Sequence, residues 1–243
     1  MMMMMMMKLL LLASVASAST ALLCGNTTLP LTPGRPNVLL IGDSISMTPP
    51  YTPGGYGGVL AALLTTSGIA VQHAGGAFSG GQCGDTRRGI ICTNLTGESW
   101  LSVSGFDLVH FNFGLHDLAD YGPTLPTLPI PQYQANLLAI YNRIASNSKA
   151  VMWTSTTPVP NVPTSYNRSY AAAVEYNAAA LAVLTGASKN LLVNDLWSAF
   201  IAHCGVEYTS CDLQLPANVH LTPKGIDFAA QSAAKDILAA LGK

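Results

Sequence analysis

Ser44 and His220 are the two residues whose types and positions suggest chemistry most directly. Ser44 follows Gly42-Asp43 after a short apolar run, and His220 lies just before a Thr-Pro helix start. A serine hydroxyl is a poor nucleophile at neutral pH unless a base removes its proton and a fixed turn exposes it. Taken alone, Gly-Asp-Ser favours an ordinary turn. Together with a histidine that can reach it, Ser44 indicates nucleophilic catalysis with the imidazole as general base.

Two further segments carry groups that could donate hydrogen bonds to a developing negative charge. The loop 75–81 is rich in glycine, and glycines let backbone N–H groups approach a ligand closely. His116 follows the apolar run 106–113 and can donate one ring N–H while it is neutral. Each segment has a structural alternative, which is a surface loop for 75–81 and capping of the next segment by His116 and Asp117.

All of these groups follow short apolar runs that are typical of buried strands. The runs are residues 36–41, 69–73, 106–113, 150–154 and 191–193. Between them, apolar residues recur at helical spacing over 56–64, 133–144 and 165–185, and a last helix begins with Thr222 as N-cap and Pro223 at its first position. The alternation predicts an α/β three-layer sandwich with a mainly parallel central sheet. Ligands bind beyond the carboxyl ends of such strands.

In order, spacing and position after strands, these segments resemble the SGNH or GDSL hydrolase family. The resemblance covers residues 37–240, and its specific parts are the Gly-Asp-Ser start and the late V-H-L-T-P-K-G stretch. It implies that Ser44 is the nucleophile of a serine esterase and that its backbone N–H is one oxyanion donor. It also implies that Gly80 gives a second N–H and that His220 is the general base, which later protonates the leaving alcohol.

The sequence departs from the family pattern at two positions. The third family block is usually Gly-x-Asn-Asp, whereas here His116 occupies the donor position, which makes it a candidate third oxyanion donor. The family also usually has an aspartate three residues before the histidine, and here that residue is Ala217. A general-base histidine needs a partner that fixes its tautomer.

Several residues could take the role of the missing acid. Asn218 or a backbone carbonyl is slightly favoured, because a neighbour needs little loop geometry to reach the ring. Asp212 could supply a charge if its loop folds back, and its alternative role is an ordinary loop turn. Asp195 is a more distant candidate, for which a structural role is favoured.

These residues predict hydrolysis of a carboxylic ester through an acyl-enzyme on Ser44, without metal or cofactor. The expected partner is a small-molecule or glycan ester, such as an acetylated glycan or a small acyl ester. Two alternatives remain open. One is acyl transfer to another hydroxyl, and the other is a secreted glycan- or lipid-binding pseudoenzyme of the same fold, which the Ala217 substitution favours.

Composition and sequence ends predict export and exclude some partners. The chain of 243 residues has a net charge of −1, so it has no basic field for nucleic acid, and no late apolar run is long enough for stable membrane insertion. Residues 1–18 are typical of a signal peptide, with Ala-Ser-Ala as cleavage site. Residues 19–36 are expected to form an extended arm before a single domain, 37–243. Glycosylation motifs at Asn26, Asn94 and Asn167 favour a secreted glycoprotein.

The cysteines favour disulfides in such an exported chain. Cys83 and Cys92 are close in sequence, as are Cys204 and Cys211, so these two pairs are expected and Cys24 is left over.

Overall fold

Five short parallel strands form the centre of the computed structural model, which describes Cys24 and residues 30–46, 55–74, 84–94, 99–188 and 190–243. The strands are β1 (Asn37–Ile41), β2 (Ala70–His73), β3 (Leu108–Phe111), β4 (Val151–Thr154) and β5 (Leu192–Asn194). Their order in the sheet is β2-β1-β3-β4-β5, and every neighbouring pair is parallel. All five carboxyl ends therefore meet at one edge of the sheet.

Six α-helices cover the sheet in the described residues. They are α1 (Gly57–Thr66), α2 (Thr86–Cys92), α3 (Ile130–Ala145), α4 (Tyr170–Ala187), α5 (Leu196–Cys204) and α6 (Pro223–Ala240). Helix α6 packs on α1 and α5, whereas α3 packs on α2 and α4, so the sheet lies between two helical layers. None of these helices is long and apolar enough to span a bilayer.

The burial of the strands explains why the sequence predicts them. Every residue of β1, β3 and β4 is buried, as continuous apolar runs require when both faces of a sheet are covered. The predicted α/β three-layer sandwich with a parallel sheet is confirmed. The third strand is shorter than the predicted 106–113, because Phe106 makes only an isolated bridge to Ser148.

The helices agree with the sequence where their caps are explicit. Thr222 accepts a hydrogen bond from the backbone N–H of Gly225, and Pro223 is the first residue of α6, as predicted. Helix α4 begins at Tyr170 rather than at 165, because the Ser169 side chain caps it by accepting from Ala172. Helices α2 and α5 were not predicted. Their signals are the caps Asp85 and Asp195, each of which accepts a backbone hydrogen bond in the first turn.

The disulfides confirm one predicted pair and correct the other. Cys204 is bonded to Cys211, as expected. Cys92 is bonded to Cys24 and not to Cys83, with 5.3 Å between the two Cα atoms. Trp100 Nε1 donates to the carbonyl oxygen of Cys24 at 2.7 Å, which adds a second contact between Cys24 and the domain. Proximity in sequence was therefore a poor guide, because tertiary packing brings the distant cysteine to the buried end of α2.

Some predictions concern residues that the structure describes only in part. The predicted signal peptide, Asn26, Gly80 and Cys83 lie outside the described residues, as does most of the predicted arm. Asn94 and Asn167 are both exposed, which is the surface position that glycosylation requires.

Candidate active site

Ser44 lies in a tight turn at the carboxyl end of β1, near the centre of the sheet edge. The carbonyl oxygen of Asp43 accepts the N–H of Ser46 at 3.1 Å, and its Oδ1 accepts the N–H of Ile45 at 2.9 Å. Asp43 is completely buried, and desolvation raises its pKa to about 6 although the Ile45 hydrogen bond and the charge of Arg168 oppose the rise. These bonds hold the turn in one geometry and set the position of Ser44.

His220 meets this serine from the opposite end of the chain. Its Nε2 lies 3.0 Å from Ser44 Oγ, across a separation of 176 residues. Burial, and then the charge of Arg168, lower the pKa of His220 below its ordinary 6.5. A neutral imidazole at hydrogen-bond distance from a serine hydroxyl has the geometry of a nucleophile and its general base.

The loop that carries His220 is anchored on both sides. Leu215 N–H donates to the His220 carbonyl oxygen at 2.9 Å, and Thr222 N–H donates to Leu213 O at 3.0 Å. A Cβ at position 225 would lie 1.9 Å from Leu213 O, so only glycine lets this backbone approach the first turn of α6. The glycine of the late sequence block thus sets the distance between the loop and the helix.

Asn218 holds the His220 ring. Its Oδ1 lies 3.0 Å from the backbone nitrogen of His220 and 2.9 Å from Nδ1. Because a backbone N–H can only donate, the atom that it meets must be the amide oxygen, which then also accepts from Nδ1–H. The hydrogen on Nδ1 leaves the Nε2 lone pair directed at Ser44, which is the tautomer a base needs.

The other candidates for this role lie elsewhere. Asp212 accepts from His203 Nε2 at 2.9 Å and from Lys224 Nζ, so both its oxygens are engaged away from His220. Asp195 accepts from Ser155 Oγ and from Ser198 N–H, and it caps α5. Ala217 is an exposed turn residue with a φ of 50°.

Replacing Asn218 and Asp212 separately compares the two candidate orienters. We expect Asn218→Ala to lower kcat by about 10-fold or more, because the His220 tautomer loses its partner, and Asp212→Asn to stay within about twofold of the wild type, as for most surface substitutions. Steady-state hydrolysis of p-nitrophenyl acetate measures both. If Asp212→Asn costs about 10³-fold, comparable with the loss of a triad acid, Asp212 is the acid after all.

His116 lies beside the serine turn. A Cβ at position 84 would be 2.7 Å from Asp43 Cβ and 2.7 Å from His116 Nε2, so Gly84 packs closely against both residues and only glycine fits there. Its Nδ1 lies 2.8 Å from Tyr121 Oη. Burial, followed by the charges of Arg168, His220 and Arg88, lowers the pKa of His116 to about 3. The ring is therefore a neutral group that can donate one N–H.

Asp117, next to His116, has the structural role that the sequence left open for both residues. Its Oδ1 accepts from the backbone N–H of Thr86 at 3.0 Å and from the Thr86 hydroxyl, at the first turn of α2. Burial raises the pKa of Asp117 to about 8 despite these bonds. Asp117 ties the loop after β3 to α2, whereas the His116 ring lies beside the serine turn.

Arg168 is the site residue that sequence reasoning missed. Its Nε donates to Leu115 O at 2.8 Å and its Nη2 donates to Tyr121 Oη at 2.6 Å. Arg168 is only 9% exposed, although it lies inside a glycosylation motif that predicts a surface loop. The preceding Tyr166 and Asn167 have φ angles of 62° and 51°, a reversal that no sequence signal indicated. Among the described residues, no cluster of three or more His, Cys, Asp or Glu side chains could hold a metal ion.

Comparison with known proteins rests on structure. No family model matches the sequence, and no curated protein matches it. A lipase/acylhydrolase from Enterococcus faecalis is 20% identical with a TM-score of 0.61, over 84% of this chain and 95% of that one. A GDSL-like lipase from Bacteroides thetaiotaomicron is 15% identical with a TM-score of 0.61, over 88% and 93%.

An acetylxylan esterase from Geobacillus stearothermophilus is also similar in structure. It is 15% identical with a TM-score of 0.58, over 90% of this chain and 96% of that one. These similarities span nearly the whole of each solved chain. Together with the sequence blocks around Ser44 and His220, they show that this chain has the fold of the SGNH/GDSL hydrolases.

Proposed function

We propose that this protein hydrolyses carboxylic esters through an acyl-enzyme on Ser44, with His220 as general base. The observation that carries the proposal is the 3.0 Å approach of His220 Nε2 to Ser44 Oγ, with Asn218 holding the opposite ring nitrogen. The solved structures of the same fold include lipases and acetylxylan esterases, which supports ester chemistry.

The proposed reaction has two halves. Ser44 Oγ attacks the ester carbonyl carbon while its proton passes to His220 Nε2, and the carbonyl oxygen becomes an oxyanion. The backbone N–H groups of Ser44 and Gly80 and the ring N–H of His116 are the proposed donors to that oxyanion. His220 then protonates the leaving alcohol, and a water molecule activated by the same imidazole releases the acid.

Aromatic rings beside His116 favour a glycan ester as substrate. Tyr121 lies in hydrogen-bond contact with His116, and its ring centroid is 4.4 Å from that of Tyr166. Tyr166 is 52% exposed, so part of its ring is open to solvent. Tyrosine offers an apolar face and a polar tip, a combination suited to a sugar ring. We propose acetylated glycans or short acyl esters as the substrate class.

A serine-directed fluorophosphonate probe tests the proposal. We expect stoichiometric labelling of Ser44 in the native protein and none after heat denaturation, because only the folded site activates the hydroxyl. A panel of p-nitrophenyl esters and acetylated xylo-oligosaccharides should then show turnover that falls as the acyl chain lengthens. Absence of labelling and of turnover would instead support a binding domain that has lost catalysis.

A further inference from the structure

We propose that Arg168 and Tyr121 are positioning residues that hold His116 in the tautomer with its hydrogen on Nε2, so that this N–H faces the reacting carbonyl oxygen. The inference rests on the proposed ester hydrolysis at Ser44. Both residues contact the loop after β3. Arg168 donates to the carbonyl oxygen of Leu115, 53 residues earlier, and Tyr121 contacts His116, five residues earlier.

The directions of the hydrogen bonds follow from the chemistry of the donors. A guanidinium has only donors, so Arg168 Nη2, 2.6 Å from Tyr121 Oη, must donate to that oxygen. The Tyr121 hydroxyl keeps its own hydrogen, because burial raises the pKa of this phenol. In the described residues, the remaining partner of Oη is His116 Nδ1 at 2.8 Å, and it accepts that hydrogen. The single hydrogen of a neutral imidazole is then on Nε2.

The position of Nε2 makes this tautomer useful. The Nε2 edge of the His116 ring packs against Gly84, and Asp43, the residue before Ser44, packs against the same glycine, since a Cβ at position 84 would lie 2.7 Å from Nε2 and 2.7 Å from Asp43 Cβ. Among the described residues, the hydrogen bond of the His116 ring is made at Nδ1, and we assign the Nε2–H to the carbonyl oxygen of a bound substrate. With the opposite tautomer, a lone pair would face the oxyanion and repel it. The tautomer therefore decides whether His116 helps or hinders the reaction.

Two tyrosine rings and a backbone reversal fix the position of the Arg168 guanidinium. Its guanidinium lies 5.6 Å from the centroid of the Tyr121 ring and 5.2 Å from that of Tyr166, within reach of cation–π attraction. Asp120 N–H donates to the carbonyl oxygen of Tyr166 at 2.9 Å, which secures the positive-φ reversal before Arg168. Backbone strain of this kind persists where the surrounding structure imposes it, commonly at functional sites.

The charge also keeps His116 neutral. Burial and the nearby guanidinium are the two largest causes that lower the pKa of His116 to about 3, so the ring carries one hydrogen throughout the neutral range. The other titratable or charged groups that face it are His220, Arg88 and Asp43.

A double-mutant cycle tests the role of Tyr121. We expect Tyr121→Phe to lower kcat for p-nitrophenyl acetate about 10-fold, part of the roughly 10²-fold that a lost oxyanion donor costs, with little change in KM. In a His116→Asn background, the same change should have no further effect on kcat, because an amide N–H has no tautomer to fix. An equal loss in both backgrounds, or none in either, would overturn the proposal.

We expect Arg168→Met to lower kcat as Tyr121→Phe does. Without the guanidinium as donor, Tyr121 Oη could accept a hydrogen bond from His116 Nδ1–H, and the ring could then adopt the other tautomer. Arg168→Lys, which retains a donor, should restore part of kcat. If Arg168→Met fails to fold, the Tyr121→Phe cycle still decides the question.

NMR of protein labelled with ¹⁵N in its histidine rings provides a readout that is independent of activity. We expect an unprotonated Nδ1 and a protonated Nε2 for His116 in the wild type, and a mixture of tautomers in Tyr121→Phe. A protonated Nδ1 in the wild type would refute the proposed role of Arg168 and Tyr121. Lack of turnover and of Ser44 labelling in the wild type would instead refute the proposed function, and the NMR result would still decide the tautomer.

Discussion

Ser44→Ala is expected to remove nearly all ester hydrolysis, lowering kcat by about 10⁶-fold, the loss seen when a serine nucleophile is deleted from a catalytic unit. Without Oγ, no acyl-enzyme can form, and only the oxyanion donors and substrate contacts remain. The protein should stay folded, because the described hydrogen bond of the Ser44 side chain is the one to His220. Kinetics on purified protein, with circular dichroism and thermal unfolding as checks of the fold, measure both expectations.

Ser46→Ala is the matched control for this substitution. Ser46 lies in the same turn and is buried like Ser44, but its Oγ donates to Asp43 O at 3.2 Å rather than meeting a base. We expect a small loss of stability, about 1 kcal/mol for one hydrogen bond, and retention of most of the activity. A Ser44→Ala variant that retains a tenth or more of the wild-type kcat would refute the assignment of the nucleophile.

His220→Ala is expected to have a comparable effect, about 10⁶-fold in kcat, because serine and base act as one unit and losing either removes the same step. Fluorophosphonate labelling of Ser44 should slow in parallel, since that reaction also needs the hydroxyl proton to be removed. His203→Ala is the control. In the described residues, His203 contacts Asp212 and Phe228 and not Ser44, so its loss should leave kcat nearly unchanged.

The pH dependence of the wild type gives a second check on His220. The base must be unprotonated, so kcat/KM should rise with pH through the pKa of His220 and level off above it. Because burial and Arg168 lower that pKa, the midpoint of the rise should lie below pH 6.5. A midpoint above 6.5, or full labelling of Ser44 in His220→Ala, would contradict the assignment.

Most of the fold follows from local sequence patterns, namely apolar runs and helix caps. The inner strands β1, β3 and β4 are buried throughout, as their continuous apolar runs predict for a parallel sheet that is covered on both faces. The edge strands β2 and β5 are only partly buried. Helices with explicit caps, such as α6 after Thr222, were also predictable. The short helix α2 was missed because seven residues are too few to show a clear helical period.

The candidate site was likewise predictable where local sequence patterns indicated a role, and unpredictable where distant residues meet. The order and the neighbours of Ser44 and His220 indicated ester chemistry, and Asn218 could be named as the favoured orienter because it lies two residues from the ring that it contacts. Contacts between distant residues could not be read in this way. The Cys24–Cys92 disulfide spans 68 residues, and Arg168 reaches Tyr121 across 47.

By itself, the sequence determined the parallel α/β sandwich, and it indicated the serine and histidine that the fold brings together. It suggested the pairing of Cys204 with Cys211 without determining it. Only the tertiary structure decided which cysteine is bonded to Cys92 and that Lys224 and His203 bind Asp212. It alone also placed the buried Arg168 in contact with Tyr121, the partner of His116. The physical reason is that periodicity and capping are local properties of a chain, whereas the partner of a buried polar group depends on which segments the packed core brings side by side.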